Sequence, residues 1–180
     1  MNIGPDFVFL CVPRTASVSI SRHWLPNFGG VDQHSDDYHQ RVVPPEHAGK
    51  FTFAVVRNPY ARVRSLWAFL RSFSSGKFSH LTLSDFPWWL MEREDSETQF
   101  NSQVQFLAHA RLDRVILYED LPGALLGLPF VNAATVPELP HCNDAPYGRG
   151  DWTHGLTRHF FDGVHKFEAA SFIEWGYERL

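Results

Sequence analysis

No apolar stretch in this 180-residue chain approaches the roughly 18 residues of a membrane span. The N-terminus lacks both the basic region and the small-residue cleavage site of a secretory signal. These absences lead us to expect a cytoplasmic protein. Cysteine is scarce: Cys11 and Cys142 are too few for a disulfide framework, and no metal-type spacing surrounds them. Cys11, inside an apolar run, reads as a small buried hydrophobe. An excess of basic charge is missing too, since 16 Lys and Arg face 20 Asp and Glu, a formal net charge of -4. That argues against a general nucleic-acid binder and confines any polyanion site to a local pocket. His154, His159 and His165 lack the i, i+4 spacing of a helical metal site, and no metal is expected.

What is present fits a single domain over residues 1–180: 44% of residues are hydrophobic and 20% charged, without repeats or low-complexity tracts. Phe7–Val12 and Phe51–Val56 are continuous apolar runs, the pattern of strands buried on both faces, and Arg114–Tyr118 is a third short strand. Ser17–Trp24 reads as a helix. Another starts at Pro59 and runs to about Phe73, with Val63, Leu66, Trp67, Leu70 and Phe73 at helical spacing. Further helices are expected from a Ser84 cap to Glu94, over residues 98–110, within "EDLPGALLGL", and over 152–165 and 167–175. Glu119 and Asp120 read as caps for the helix after the third strand. Trp88 and Trp89 read as core, or alternatively as a platform for a sugar ring. Strands alternating with helices predict an α/β domain with a small central parallel sheet flanked by helices.

Two strand-to-helix junctions carry the chemistry. "VPRTASVS" lacks the glycines and the GK[ST] of a Walker loop, yet it offers Arg14 and the hydroxyls of Thr15, Ser17 and Ser19. "VVRNPYARVRS" places Arg57 at the carboxyl end of a buried strand, where open α/β sheets hold ligands, and Ser65 on the helix behind it. Each junction alone also fits a plainer account. Ser17 then caps a helix and Arg14 is a surface charge, while Arg57 is salt-bridged and Ser65 bonds back to its own helix.

Taken together the segments resemble a known family. "FVFLCVPRTASVSI" is similar to the 5′-phosphosulfate loop of sulfotransferases, and "FAVVRNPYARVRSLW" to their 3′-phosphate motif. "VILYEDL", Gln103 with the following "FL", "PHCNDAPYG" and "FIEWGY" follow in the family's order, most like its carbohydrate and bacterial members. The resemblance implies a P-loop-NTPase-like three-layer α/β/α fold and the donor 3′-phosphoadenosine 5′-phosphosulfate (PAPS), with adenosine 3′,5′-bisphosphate as product and no metal. It implies transfer of a sulfuryl group to a hydroxyl or amine of a glycan or small-molecule acceptor. Arg14, Thr15, Ala16, Ser17, Val18 and Ser19 would form the 5′-phosphosulfate loop, Arg57 and Ser65 the 3′-phosphate site, and Arg149 in "YGRGDW" a late contact to the nucleotide.

Arg14 would also stand by the bridging oxygen, and His34 would act as base, with His39, His47 and Glu46 as other candidates. Arg14 stands where the family's pattern has lysine, Ser17 where it has glycine, and Val18 where it has threonine. Ser17 fits only if the loop needs no positive φ there. Two further readings stay open: a phosphoadenosine-binding protein without efficient transfer, and a Mg-ATP phosphotransferase.

Overall fold

A computed structural model of the chain describes residues 1–33, 39–73, 76–93, 97–132, 134, 136–140, 142 and 155–180. Five strands form one sheet: β1 (Asn2–Ile3), β2 (Phe7–Leu10), β3 (Val31–Asp32), β4 (Phe51–Val56) and β5 (Arg114–Leu117), in the order β3-β1-β2-β4-β5. The three apolar runs are its parallel part, with β4 between β2 and β5. The sheet as a whole is mixed, a correction to the parallel sheet expected, because β1 runs antiparallel to both β2 and β3. Strands of two residues are too short to show a period in sequence. Tertiary contacts hold them instead: buried Asn2 donates from Nδ2 to the Ser21 carbonyl and to Asp32 Oδ1.

The residues fall into two compact units, Met1–Arg57 with Phe106–Asn143, and Asn58–Gln105 with Asp144–Leu180. The first contains the sheet. Its core joins Phe7, Phe9, Phe53, Val55 and Ile116 to Ile20, Trp24 and Leu25 from the helical stretch after β2. Phe9 and Phe53 stack with centroids 4.9 Å apart. Each fully buried Phe contributes about 1.5–3 kcal/mol. β2 is buried throughout and β4 nearly so, which is why neither sequence alternates. Asp113 sets the start of the β4–β5 pairing, accepting from the Thr52 amide at 2.8 Å.

The second unit is helical. α1 (Pro59–Phe73) has the predicted bounds. Asn58 caps it, its Oδ1 accepting from the amides of Tyr60 at 3.1 Å and Ala61 at 3.3 Å, with Pro59 in the first turn. α2 (Phe86–Met91) is shorter than expected. Ser84 does not cap it but shares a hydrogen bond with the Thr157 hydroxyl at 2.6 Å. The helix expected over 98–110 is broken into a 3₁₀ turn at Thr98–Phe100 and the short α3 (Gln103–Leu107).

"EDLPGALLGL" forms two 3₁₀ turns, Tyr118–Asp120 and Gly123–Gly127. Glu119 and Asp120 lie inside the first rather than at a cap position, and Leu117 and Pro122 stand at the N-caps of the two turns. α4 (Arg158–Phe167) starts later than expected, behind a Thr157 cap, and α5 (Ala169–Trp175) follows. Gly163 lets α4 approach α2: a Cβ there would come within 2.7 Å of Trp88 Nε1 and 2.9 Å of Pro87 Cβ. Val63, Leu66 and Leu70 of α1 pack with Phe86, Leu90, Phe160 and Val164.

One polar cluster is sealed in this unit. Arg62 and Glu168 form an ion pair with both side chains fully buried. Arg62 also donates to the Asn101 carbonyl, and Glu168 accepts from the Gln103 amide and the Ser171 hydroxyl. Its hydrogen-bonding capacity is thus used, the condition under which a buried pair is tolerated. Among the described residues, no helix is long and apolar enough to cross a membrane.

Candidate functional site

The turn after β2 takes left-handed backbone twice without glycine. Arg14 has φ 70° and Ala16 φ 63°, while Thr15 and Ser17 keep negative φ. Outside glycine such a residue costs roughly 1–2 kcal/mol. Ser17 meets the condition set for it in the sequence, because positive φ falls on its neighbours. Alternation of this kind turns successive backbone N–H groups into a concavity suited to an anion. Residues held in strained backbone cluster at ligand sites.

Two cations meet at this turn. Arg57, directly after β4, donates from Nη1 to the Arg14 carbonyl at 3.3 Å. Its guanidinium lies over the Tyr118 ring, Cζ 4.2 Å from the centroid. Burial, and after it the positive charge of Arg57, push the Arg14 guanidinium down to about 10, with Tyr118 acting in the opposite sense. At neutral pH Arg14 remains a cation held against another cation. The parallel register explains the meeting, since the residues just beyond the carboxyl ends of three neighbouring strands converge on one crest.

The hydroxyls of the turn are distributed differently. Thr15 is fully buried, and its Oγ1 donates back to the Val12 carbonyl at 2.9 Å. Ser17 and Ser19 are buried, and Ser19 Oγ accepts from the Cys142 amide at 3.0 Å. The helical stretch begins at Ser17, includes half-buried Val18 and continues at Ser19–Trp24 as a π-helical turn. π-Helical turns occur frequently at functional sites. Cys11 is buried as expected.

Ser65 belongs to the second unit, half-buried on the second turn of α1. His39 lies in the first, with Nδ1 2.7 Å from the Cys11 carbonyl. A carbonyl only accepts, so Nδ1 carries the proton and the neutral ring keeps its lone pair on Nε2. His47 lies in the 3₁₀ turn Pro45–His47, together with Glu46. His34 and Arg149 lie outside the described residues.

The two tryptophans differ in their contacts. Trp89 packs into the second unit's core, stacked on Phe86 at 5.6 Å. Trp88 lines a cleft with His159, Asp162, His165 and Lys166. Its ring is already engaged: His159 stacks on it at 5.1 Å, and the Lys166 ammonium lies 4.6 Å from its centroid. Trp88 Nε1 donates to the His159 carbonyl at 3.1 Å.

Two residues of the arrangement, Tyr118 and Asn58, are not among the sequence-based candidates. Asn58 carried a signal, an N-cap residue directly before proline. Tyr118 carried none, because its place beside Arg57 comes from strand register. Comparison with known proteins finds no matching family model, no matching curated protein and no matching solved structure.

Proposed function

We propose that this chain is a PAPS-dependent sulfotransferase whose first unit takes the phosphosulfate end of the donor on a P-loop-like turn. The observation that carries this reading is the pairing of Arg14 and Arg57 at one strand-end crest, beside a backbone turn strained at Arg14 and Ala16. Two like charges in partial burial repel each other. An anion relieves that repulsion and meets converging N–H donors. The pairing itself fits one anionic group at the crest, and a nucleotide bearing both a phosphosulfate and a separate 3′-phosphate is what the resemblance of the motifs adds. The order of motifs along the chain adds the chemical identity of that nucleotide.

In this reading Arg14 and the backbone of residues 14–19 hold the phosphosulfate, and Arg57 holds the 3′-phosphate. The acceptor oxygen forms a bond to sulfur as the bond from sulfur to the bridging oxygen breaks. The leaving group is adenosine 3′,5′-bisphosphate, and the acceptor proton goes to a base, assigned to His34. Negative charge collects on the bridging oxygen, and Arg14 stabilises it electrostatically. Thr15 would contribute through its backbone amide, since its hydroxyl is turned to the Val12 carbonyl.

A second reading, binding of phosphoadenosine nucleotides without transfer, is favoured by Arg14 itself. A guanidinium still protonated at neutral pH binds sulfate well but does not give up a proton. The test is a calorimetric comparison of adenosine 3′,5′-bisphosphate with Mg-ATP, followed by donor turnover in the presence of hydroxyl acceptors. Binding of the bisphosphate alone supports a phosphoadenosine site, and turnover separates enzyme from binding module. Preference for Mg-ATP would replace this reading by a phosphotransferase.

A further inference from the structure

Three neighbouring parallel strands each deliver one side chain to the crest: Arg14 follows β2, Arg57 follows β4 and Tyr118 follows β5. Val56 pairs with Leu117 at the end of the β4–β5 ladder, so the next residues, Arg57 and Tyr118, stand side by side. The contact between them is face-on, with the guanidinium carbon 4.2 Å from the ring centroid. At its other end the same guanidinium donates to the Arg14 carbonyl.

We propose that Tyr118 is a positioning residue for the nucleotide: its ring fixes the plane of the Arg57 guanidinium, which in turn holds the 3′-phosphate. The inference rests on the donor reading above. A free arginine side chain samples many rotamers and loses them when it grips a phosphate. A ring beneath one face and a carbonyl at the edge remove that freedom before the ligand arrives. The ring also keeps water from one face of the cation, which strengthens the attraction on the side left for the anion. Tyr118 touches no ligand atom in this account and acts through Arg57 alone.

Tyr118 also packs against the first unit's core, so a change in affinity must be separated from a change in stability. The variants are Tyr118→Phe, Tyr118→Leu and Tyr118→Met, each also made with Arg57→Ala. Affinity for adenosine 3′,5′-bisphosphate and for adenosine 5′-monophosphate is read by calorimetry, and the ligand-free melting temperature is recorded beside it. The Phe variant, which keeps the ring, is expected to bind the bisphosphate within about twofold of wild type, and the Leu and Met variants about tenfold more weakly. The monophosphate, lacking the 3′-phosphate, is expected to lose little.

With Arg57 already replaced, losing the ring should cost nothing further. Wild-type affinity in the Leu or Met variant overturns the inference, as does equal loss for both ligands or in both Arg57 backgrounds. Tyr118→Met keeps side-chain bulk without the ring face and answers the question if Tyr118→Leu does not fold. Loss of binding in Arg57→Ala with none in the Tyr118 variants defeats this inference alone, whereas a wild-type protein that ignores the bisphosphate defeats the donor reading beneath it.

Discussion

Arg57 donates a hydrogen bond to the backbone carbonyl of Arg14 at 3.3 Å, which ties the ends of two parallel strands together and sets two positive charges against each other. The fold accepts this arrangement along with left-handed backbone at Arg14. Both features oppose stability in the ligand-free chain, and both favour an anion.

Arg14→Gly is therefore expected to stabilise the ligand-free protein while weakening nucleotide binding. Relief of the left-handed strain, roughly 1–2 kcal/mol, exceeds the added flexibility of glycine in the unfolded chain, about 0.4–1 kcal/mol. Removing the charge relieves Arg57 as well. Urea unfolding should show a gain of about 1 kcal/mol, with a calorimetric affinity for adenosine 3′,5′-bisphosphate at least tenfold lower. A destabilised variant with unchanged affinity would show that the turn is built for stability instead.

The buried pair Arg62–Glu168 predicts the opposite pattern. Glu168→Ala leaves a sealed guanidinium without its partner and strips acceptors from Gln103 and Ser171, so a loss of about 3–5 kcal/mol is expected in chemical denaturation. Replacing both members by Met should recover a large part of that loss. If the double variant is no better than Glu168→Ala, the hydrogen bonds rather than the unpaired charge set the cost.

His165 makes stability depend on pH. It bonds to the Tyr60 hydroxyl, which in turn accepts from the Leu180 amide at 2.8 Å. Burial, then Arg179, lower its pKa from the ordinary 6.5, with Asp162 opposing and Arg158 adding. The unfolded chain therefore takes up the proton first as pH falls. The contribution is complete above the ordinary histidine value and disappears as pH drops through the lower folded value. Melting temperatures between about pH 8 and pH 5 should fall more steeply in wild type than in His165→Gln. Parallel curves would exclude His165 as the source.

If His34 is the base, His34→Ala should lower donor turnover by about 10²–10⁴-fold and leave bisphosphate affinity within about twofold. His39 is the competing candidate, with its Nδ1 proton committed to the Cys11 carbonyl. Loss of turnover in His39→Ala but not in His34→Ala would move the role to His39.

Much of the parallel core was legible in the sequence, because a strand buried on both faces writes a continuous apolar run. Phe51–Val56 and Pro59–Phe73 appear with the bounds expected. β1 and β3 were illegible, since two residues carry no period and their pairing depends on contacts made by Asn2. Boundaries failed where hydrogen bonding outweighed composition, as when Thr157 rather than an earlier residue capped α4. At the site, Arg14 and Arg57 were visible as charges at strand ends. The left-handed turn was hidden, because glycine usually announces one and here Arg14 and Ala16 adopt it. Tyr118 was hidden for a different reason: its partner is set by strand register across the sheet.

The most direct measurement is a titration of wild type and Arg57→Ala with adenosine 3′,5′-bisphosphate, followed by thermal unfolding and calorimetry. Ligand at a hundredfold excess over its dissociation constant should stabilise the wild type by about 2.7 kcal/mol through linkage, and most of that gain should vanish in the variant. Absence of any shift in wild type at about millimolar ligand, a concentration that fills even weak sites, would contradict the nucleotide site at Arg14 and Arg57.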